Sequence, residues 1–352
     1  MVKLSNNINQ RLRALAVGSS VLALSVGLLA APANAATADR GLYGTPNQFA
    51  SVQLQSQGIL GLLSARIVPS RNAVNWLVNQ QCANGAFQGY RSDISIPCEA
   101  SDAESFSGPS ADQTAWALMA LEAAGKEVEA KKAARWLVSI ARTDANGKLG
   151  IPSYVGAEPN ANATGLSLAA LRGLGYRPEV AKKLQLFLGS LVLPCTDTRG
   201  GASLYQPSVP GANNAATAQS FFGISATLPA FEPDNFGSGP KCGKNASTKL
   251  GSYLNKQIAP TGLLNYYPYD GNSFGDTALA LIGFTSQGIS NKAVSQAIAA
   301  LKTNARSWAL PEGKPNAGAL GSLLMVSVAT GSNSKNFGGV NLISELRKSE
   351  IK

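Results

Sequence analysis

The chain has 352 residues, with 30 Lys and Arg against 20 Asp and Glu for a net charge of +10, four cysteines and no histidine. Lack of histidine removes the commonest general base and the commonest zinc ligand together, so any catalysis must run on carboxylates, Lys, Tyr or Ser. The basic residues are scattered in pairs such as Lys131-Lys132 and Lys182-Lys183, with no basic stripe interleaved with aromatics; this excludes nucleic acid as the expected partner and leaves contact with an anionic cell wall as the use of the charge.

Residues 1–35 have the three-part layout of a Sec signal peptide: Lys3, Arg11 and Arg13, an apolar run from Ala14 to Ala31, then Ala33-Asn34-Ala35. The run is about long enough to span a bilayer, but Gly18, Gly27 and Pro32 interrupt it and a cleavage site follows. The expectation is cleavage after Ala35 and a protein that is secreted or held at the cell surface, free of the membrane. A linker over 36–46 then leads into a single domain, 47–352. Its first element is a helix over 48–65, apolar on one face through Phe49, Val52, Ile59, Leu60 and Leu63.

From Trp76 onward the chain repeats at intervals of roughly fifty residues. Arg71-Asn-Ala-Val-Asn-Trp76-Leu77 returns as Lys131-Lys-Ala-Ala-Arg-Trp136-Leu137, then more weakly at 182–188, 249–254 and 292–298. Each copy is basic at its start and amphipathic, so one side should face solvent. A second element follows each first one: Asp112-Gln-Thr114 opens an apolar run to Leu121, Asn162-Ala-Thr164 opens another to Leu171, and further copies begin at Asn214, Asp276 and Asn316. The Asp, Asn and Thr residues read as helix N-caps, and Gly125, Gly175 and Gly288 as C-terminal stops. These second helices consist of Ala, Leu, Gly, Ser and Thr, the composition of helices surrounded by protein. An outer ring of amphipathic helices around an inner apolar ring satisfies both patterns. The 48–65 helix and a short one over 340–348 supply a sixth pair that closes the ring; an open solenoid is the alternative.

The cysteines Cys82, Cys98, Cys195 and Cys242 all follow the expected cleavage point, which suits two disulfides in an oxidising compartment. Three pairings are possible; the sequential one, Cys82 with Cys98 and Cys195 with Cys242, is chosen. Without Cys-x-x-Cys spacing or histidine no metal site is expected, and no motif calls for a cofactor.

Connections from outer to inner helices are long: 81–110, 143–161, 193–213, 259–275 and 304–315. The return connections are mostly short, so alternation gathers the long loops at one end, where function usually sits. Phe87, Tyr90, Tyr154, Tyr205, Tyr266, Tyr269 and Trp308 bring an aromatic from every repeat to this mouth, and are the candidate ligand-binding residues. For Phe87 and Trp308, plugging the core is the competing role. Six inner-helix N-termini aimed at one mouth would make a mildly positive floor, favourable to anions.

The segment Arg71, Trp76, Leu77, Gln80, Gln81, Gly85 and Phe87 resembles the repeat of the prenyltransferase and squalene-cyclase superfamily, whose units carry a basic start, an aromatic-aliphatic pair, glutamines and Gly-x-Trp or Gly-x-Phe. That resemblance runs roughly from Arg71 to Ser349 and implies an all-α terpenoid-cyclase-like fold, an α6/α6 toroid with a ligand cavity at the end bearing the long loops. Its catalytic marks are missing: the chain has no Asp-x-Asp-Asp cluster, no zinc-binding histidine and no Gly-Cys-Gly-Glu-Gln. The small β-rich domain that clamps the ligand in corrinoid carriers has no sequence left to build it.

The remaining motifs are weaker. Gly271-Asn-Ser273-Phe-Gly275 matches a nucleophile elbow but has no preceding strand and no histidine base, and Ser332-Asn-Ser-Lys335 lies in a Gly-rich stretch. Asn162-Ala-Thr164 and Asn245-Ala-Ser247 are glycosylation sequons. If the protein is an enzyme, its carboxylates come from Glu99, Asp102 and Glu104 in the acidic loop around Asp93, and from Asp112 and Asp276, since two carboxyls suffice for glycoside hydrolysis. The leading expectation is a non-catalytic binding protein that holds an unidentified small molecule or glycan at the mouth. A carboxylate-dependent glycosidase or polysaccharide lyase acting on extracellular glycans is the second reading, and a structural or interaction module of the cell envelope the third.

Overall fold

A computed structural model describes residues 39–225 and 239–352; the expected signal peptide lies outside them. Six inner helices, α1 (Ser51–Ser64), α3 (Ala111–Ala123), α5 (Ala161–Gly173), α7 (Asn214–Ser225), α9 (Phe274–Ser286) and α12 (Ala317–Ala329), are each followed by an outer helix. The outer helices are α2 (Arg71–Asn79), α4 (Glu127–Ser139), α6 (Pro178–Ser190), α8 (Ala246–Ile258), α10 (Lys292–Thr303) and α13 (Leu342–Lys348). A one-turn helix, α11 (Ala305–Ala309), interrupts the last long loop.

Composition divides the two rings as expected. In α4, Ala130, Ala133, Ala134, Trp136 and Leu137 are buried while Lys131, Lys132 and Arg135 are exposed, and each large apolar side chain so buried stabilises the fold by roughly 1.5–3 kcal/mol. In α12 all of Ala317 to Ser327 is buried. Each inner helix packs against the next, and α12 returns onto α1, so the ring is closed. Small residues make that approach possible. A Cβ on Gly321 would lie 2.2 Å from the Gln57 carbonyl oxygen, and one on Gly61 would lie 2.7 Å from the Gly321 backbone.

Closure also uses the chain ends. Within the expected linker, Gly41 N–H donates to Ile351 O at 2.8 Å, Ile351 N–H to Leu42 O at 2.9 Å, and Gly44 N–H to Ser349 O at 2.9 Å. Buried Gln55 locks this strap, accepting from Tyr43 N–H and donating to the carbonyls of Gly41 and Ala73. The amide is satisfied at both ends, as a buried polar group must be.

The long loops are stitches rather than spacers. Ser153 O accepts from Ala111 N–H at the start of α3, while two residues earlier Ile151 N–H donates to Thr164 Oγ1 in α5. The same pair of bonds recurs with Gly89 O to Val52 and Phe87 N–H to Thr114, and with Tyr205 O to Ala161 and Ser203 N–H to Thr217. Tyr267 O to Asn214 and Leu264 N–H to Thr277 complete the set. The recurrent threonine is therefore an anchor for loop backbone. The N-caps lie upstream of the expected residues: Ser110, Asn160, Asn213 and Ser273 accept the first-turn N–H groups, and only Asn316 falls where the repeat placed it. Asp112, Asn162, Asn214 and Asp276 sit inside their helices, because the repeat's Thr marks the fourth residue after the cap.

Gly125, Gly175 and Gly288 end their helices with φ of +71°, +65° and +64°, the left-handed stop that glycine adopts without penalty. Two long loops carry two-residue β-hairpins, β1 (Arg142–Thr143) with β2 (Leu149–Gly150) and β3 (Leu264–Asn265) with β4 (Asn272–Ser273). Both disulfides have the sequential pairing, Cys82–Cys98 and Cys195–Cys242. No described helix is long and apolar enough to cross a membrane.

Candidate functional site at the mouth of the ring

Inner helices are flanked by two neighbours and backed by an outer helix, so residual exposure in their first two turns marks the side facing the ring axis. Gln53, Leu54, Asp112, Asn162, Gln219 and Leu279 keep that exposure. Below them the lumen is shut: Trp116 of α3 stacks on Phe222 of α7 across the intervening α5, with centroids 6.3 Å apart and both side chains buried. These six side chains, four of them polar, face the mouth end of the inner ring above that stack.

Asp112 is the most unusual of them. Its Oδ1 is buried without a hydrogen-bond partner, as is the Oδ1 of Asn162 at the matching position of α5. Burial pushes the Asp112 carboxyl up to about 6, opposed by a hydrogen bond from Ser153. Ser153 in turn accepts from Asn160 Nδ2 at 3.0 Å. Tyr154 and Tyr205 stand beside it, their phenols pushed up to about 12 by burial and then by the Asp112 charge. Asp276, on the inner helix opposite α3 in the ring, is raised by burial and opposed by hydrogen bonds from Ser273, at 2.6 Å, and Gln219.

An aspartate whose folded pKa lies above its unfolded value disfavours folding once it ionises. The cost is absent below about pH 4, grows as pH rises through 6, and then stays constant. Asp112→Asn should therefore stabilise the protein by roughly 2–3 kcal/mol at pH 7.5 and change little at pH 3.5, as read from urea unfolding midpoints. An equal difference at both pH values would assign the gain to something other than ionisation.

This end of the ring is not the anion site expected from six helix N-termini. A first-turn N–H donates to a loop carbonyl in α1, α3, α5 and α7, a cap side chain accepts one in α3, α5, α7, α9 and α12, and the ionisable side chains added there, Asp112 and Asp276, are acids.

The other candidate residues divide. Phe87 is fully buried in the core. Tyr90 stacks on Trp76 and donates to Asp39 at 2.8 Å, so it fastens the loop to the chain's first described residue. Trp308 stacks on Phe274 at 5.5 Å, partly exposed. Tyr154 donates to Phe106 O and keeps partial exposure, as do Tyr205 and Tyr266, while Tyr269 is open to solvent. Ile94, Ile96, Phe106, Val155 and Val209 are exposed on the same loops, and Phe49 just before α1, so apolar side chains accompany the tyrosines at this end. In the acidic loop, Glu99 and Glu104 are exposed, and Asp102 is held low by hydrogen bonds from Ser105 and the Glu104 backbone. Asp93 is held low in the same way by Ser95. Arg91 clamps this loop through the carbonyls of Ile94 and Ile96, both at 2.7 Å. None of these acids joins Asp112. No group of three or more metal-binding side chains occurs among the described residues. Two open grooves, of about 640 and 290 Å³, lie elsewhere and include none of the candidate aromatics.

No protein-family model and no curated protein matches the sequence. Among solved structures, a sugar epimerase from a ruminal bacterium aligns with a TM-score of 0.52 at 12% identity, covering 84% of this chain and 93% of that one. A family 76 glycoside hydrolase from a bovine Bacteroides thetaiotaomicron strain aligns with a TM-score of 0.50 at 11% identity, covering 84% and 76%. The type II terpene cyclase MstE from Scytonema is more distant in shape, with a TM-score of 0.46 at 16% identity over 80% and 78%. Identities this low speak for fold alone, and at that level the epimerase and the glycoside hydrolase agree with the closed double ring of helices: the chain is an all-α protein of the α6/α6 toroid fold.

Proposed function

We propose that this is a secreted, non-catalytic binding protein whose mouth holds a neutral, hydroxyl-rich ligand, a glycan. The observation that carries the reading is the pair of unpartnered acceptors, Asp112 Oδ1 and Asn162 Oδ1, on neighbouring inner helices beneath Tyr154 and Tyr205. A buried acceptor left empty costs about 1–3 kcal/mol; both side chains keep some exposure, so a turn about the terminal side-chain bond alone brings that oxygen to the surface, where a sugar hydroxyl donates to it. The apolar side chains at this end suit the C–H faces of sugar rings. The sugar epimerase and the family 76 glycoside hydrolase that align at TM-scores of 0.52 and 0.50 are named for sugars, and the two disulfides accord with an oxidising compartment.

A microarray of neutral and acidic glycans tests the reading. Binding should be confined to neutral glycans, and Asn162→Leu should weaken the captured glycan about tenfold, one lost hydrogen bond to a buried acceptor, with a melting temperature no lower than that of the parent. Retention of no neutral glycan, or an indifferent Asn162→Leu, would overturn it.

The enzyme reading draws on Asp112 as well, since a carboxyl that keeps its proton to about pH 6 is suited to general acid work. It further requires a second carboxylate, and Asp276 across the ring is the buried one available. New reducing ends or unsaturated sugars released from the bound glycan would favour a glycosidase or lyase over simple binding.

A further inference from the structure

We propose that a groove on the outside of the ring, at the seam where the last helix meets the first hairpin, binds an acidic polysaccharide. This site is separate from the mouth and stands whether or not the mouth takes a glycan. The groove measures about 640 Å³, within the range of clefts that hold small ligands. Its lining includes Lys335, Arg347, Lys348 and Lys352, all exposed, with Ile343 and Ser344 on the same helix as Arg347, and Val68 and Pro69 from the segment before α2.

The cations are poorly neutralised. Among the described residues Lys335 and Arg347 make no ion pair, and Lys348 has only an exposed one to Glu345 at 3.1 Å, a kind worth at most about 1 kcal/mol. Glu350, the acid lining the groove, accepts from Ser70 Oγ at 2.6 Å. Val68 is 85% exposed, more than an apolar side chain with a covering partner would be. Cations interspersed with apolar side chains in one groove match a chain of sugar rings bearing carboxylates: the charged groups meet Lys and Arg while ring C–H faces lie on Val68 and Ile343. A peptide strand is less suited, because the backbone of 41–44 at the groove is already paired with that of 349–351 and offers no free edge.

The test is electrophoresis of the full chain through native gels containing polygalacturonate, dextran or poly-glutamate. Polygalacturonate should retard the protein, dextran should not, and poly-glutamate should act only at higher concentration. Neutralising two groove cations together, Arg347→Gln with Lys348→Gln, should weaken retardation about tenfold through lost charge-assisted contacts, and the effect should shrink with added salt. Lys335→Gln, on a separate loop, should act in the same direction if the double variant folds poorly. Equal retardation by dextran, stronger retardation by poly-glutamate, or indifference of both variants would overturn the proposal, the second outcome pointing to an acidic peptide instead.

Discussion

Replacing Gly321 by valine is expected to destabilise the protein by about 3 kcal/mol or more, at the upper end of overpacking costs, and to lower its melting temperature by several degrees. The first added carbon would meet the Gln57 carbonyl at 2.2 Å, and backbone cannot step aside as a rotamer can. Either α12 shifts away from α1 or both helices bend. The contact they share is the one that turns a row of hairpins into a ring, so the loss should appear as a more expanded particle in small-angle scattering as well as in unfolding. Gly173→Ala is the control: α5 has empty space there, and alanine in a helix should gain roughly 0.5–1 kcal/mol. If Gly321→Val were as harmless as Gly173→Ala, the seam would be looser than the geometry requires.

Trp116→Ala should be the most costly single truncation, roughly 3–5 kcal/mol for deleting a buried indole. Its ring fills the axis of the toroid by stacking on Phe222 from a non-adjacent helix, and the small residues around it, such as Ala115, Ala117 and Ala120, cannot collapse into the space. Trp116→Phe should cost less than half as much. The alanine variant should also open space at the ring axis, measurable as new binding of an apolar dye. A change in urea midpoint equivalent to less than about 1 kcal/mol would mean that the lumen is filled by something other than this stack.

The double ring was legible because burial demands differ so strongly between its layers. Helices like α4 must show a charged face to water, and helices like α12 cannot afford one. The glycine stops were legible for equally local reasons, whereas the sequential disulfide pairing was one of three open choices and its second bridge spans 47 residues. The caps were misplaced because Asp112, Asn162 and Asp276 have the chemistry of caps, while Ser110, Asn160 and Ser273 just upstream do the capping. The role of the threonines depends on a loop arriving from elsewhere, which no local pattern announces. For the same reason the helix N-termini looked open to anions until the loop carbonyls that occupy them were placed. Among the aromatics, the core role weighed for Phe87 and Trp308 holds for Phe87, sealed in the core, but not for Trp308, which stays partly exposed, a difference set by depth that residue type does not announce.

The four loop stitches have a consequence for recognition. Each ties the N-termini of two neighbouring inner helices to one short piece of backbone, so Ser153 and Tyr205 are carried on segments that cannot shift without pulling a helix. Around those junctions the mouth is a preorganised receptor: little conformational entropy remains to be lost when an occupant arrives. Selectivity in such a rim comes from rejecting shapes it cannot rearrange to admit.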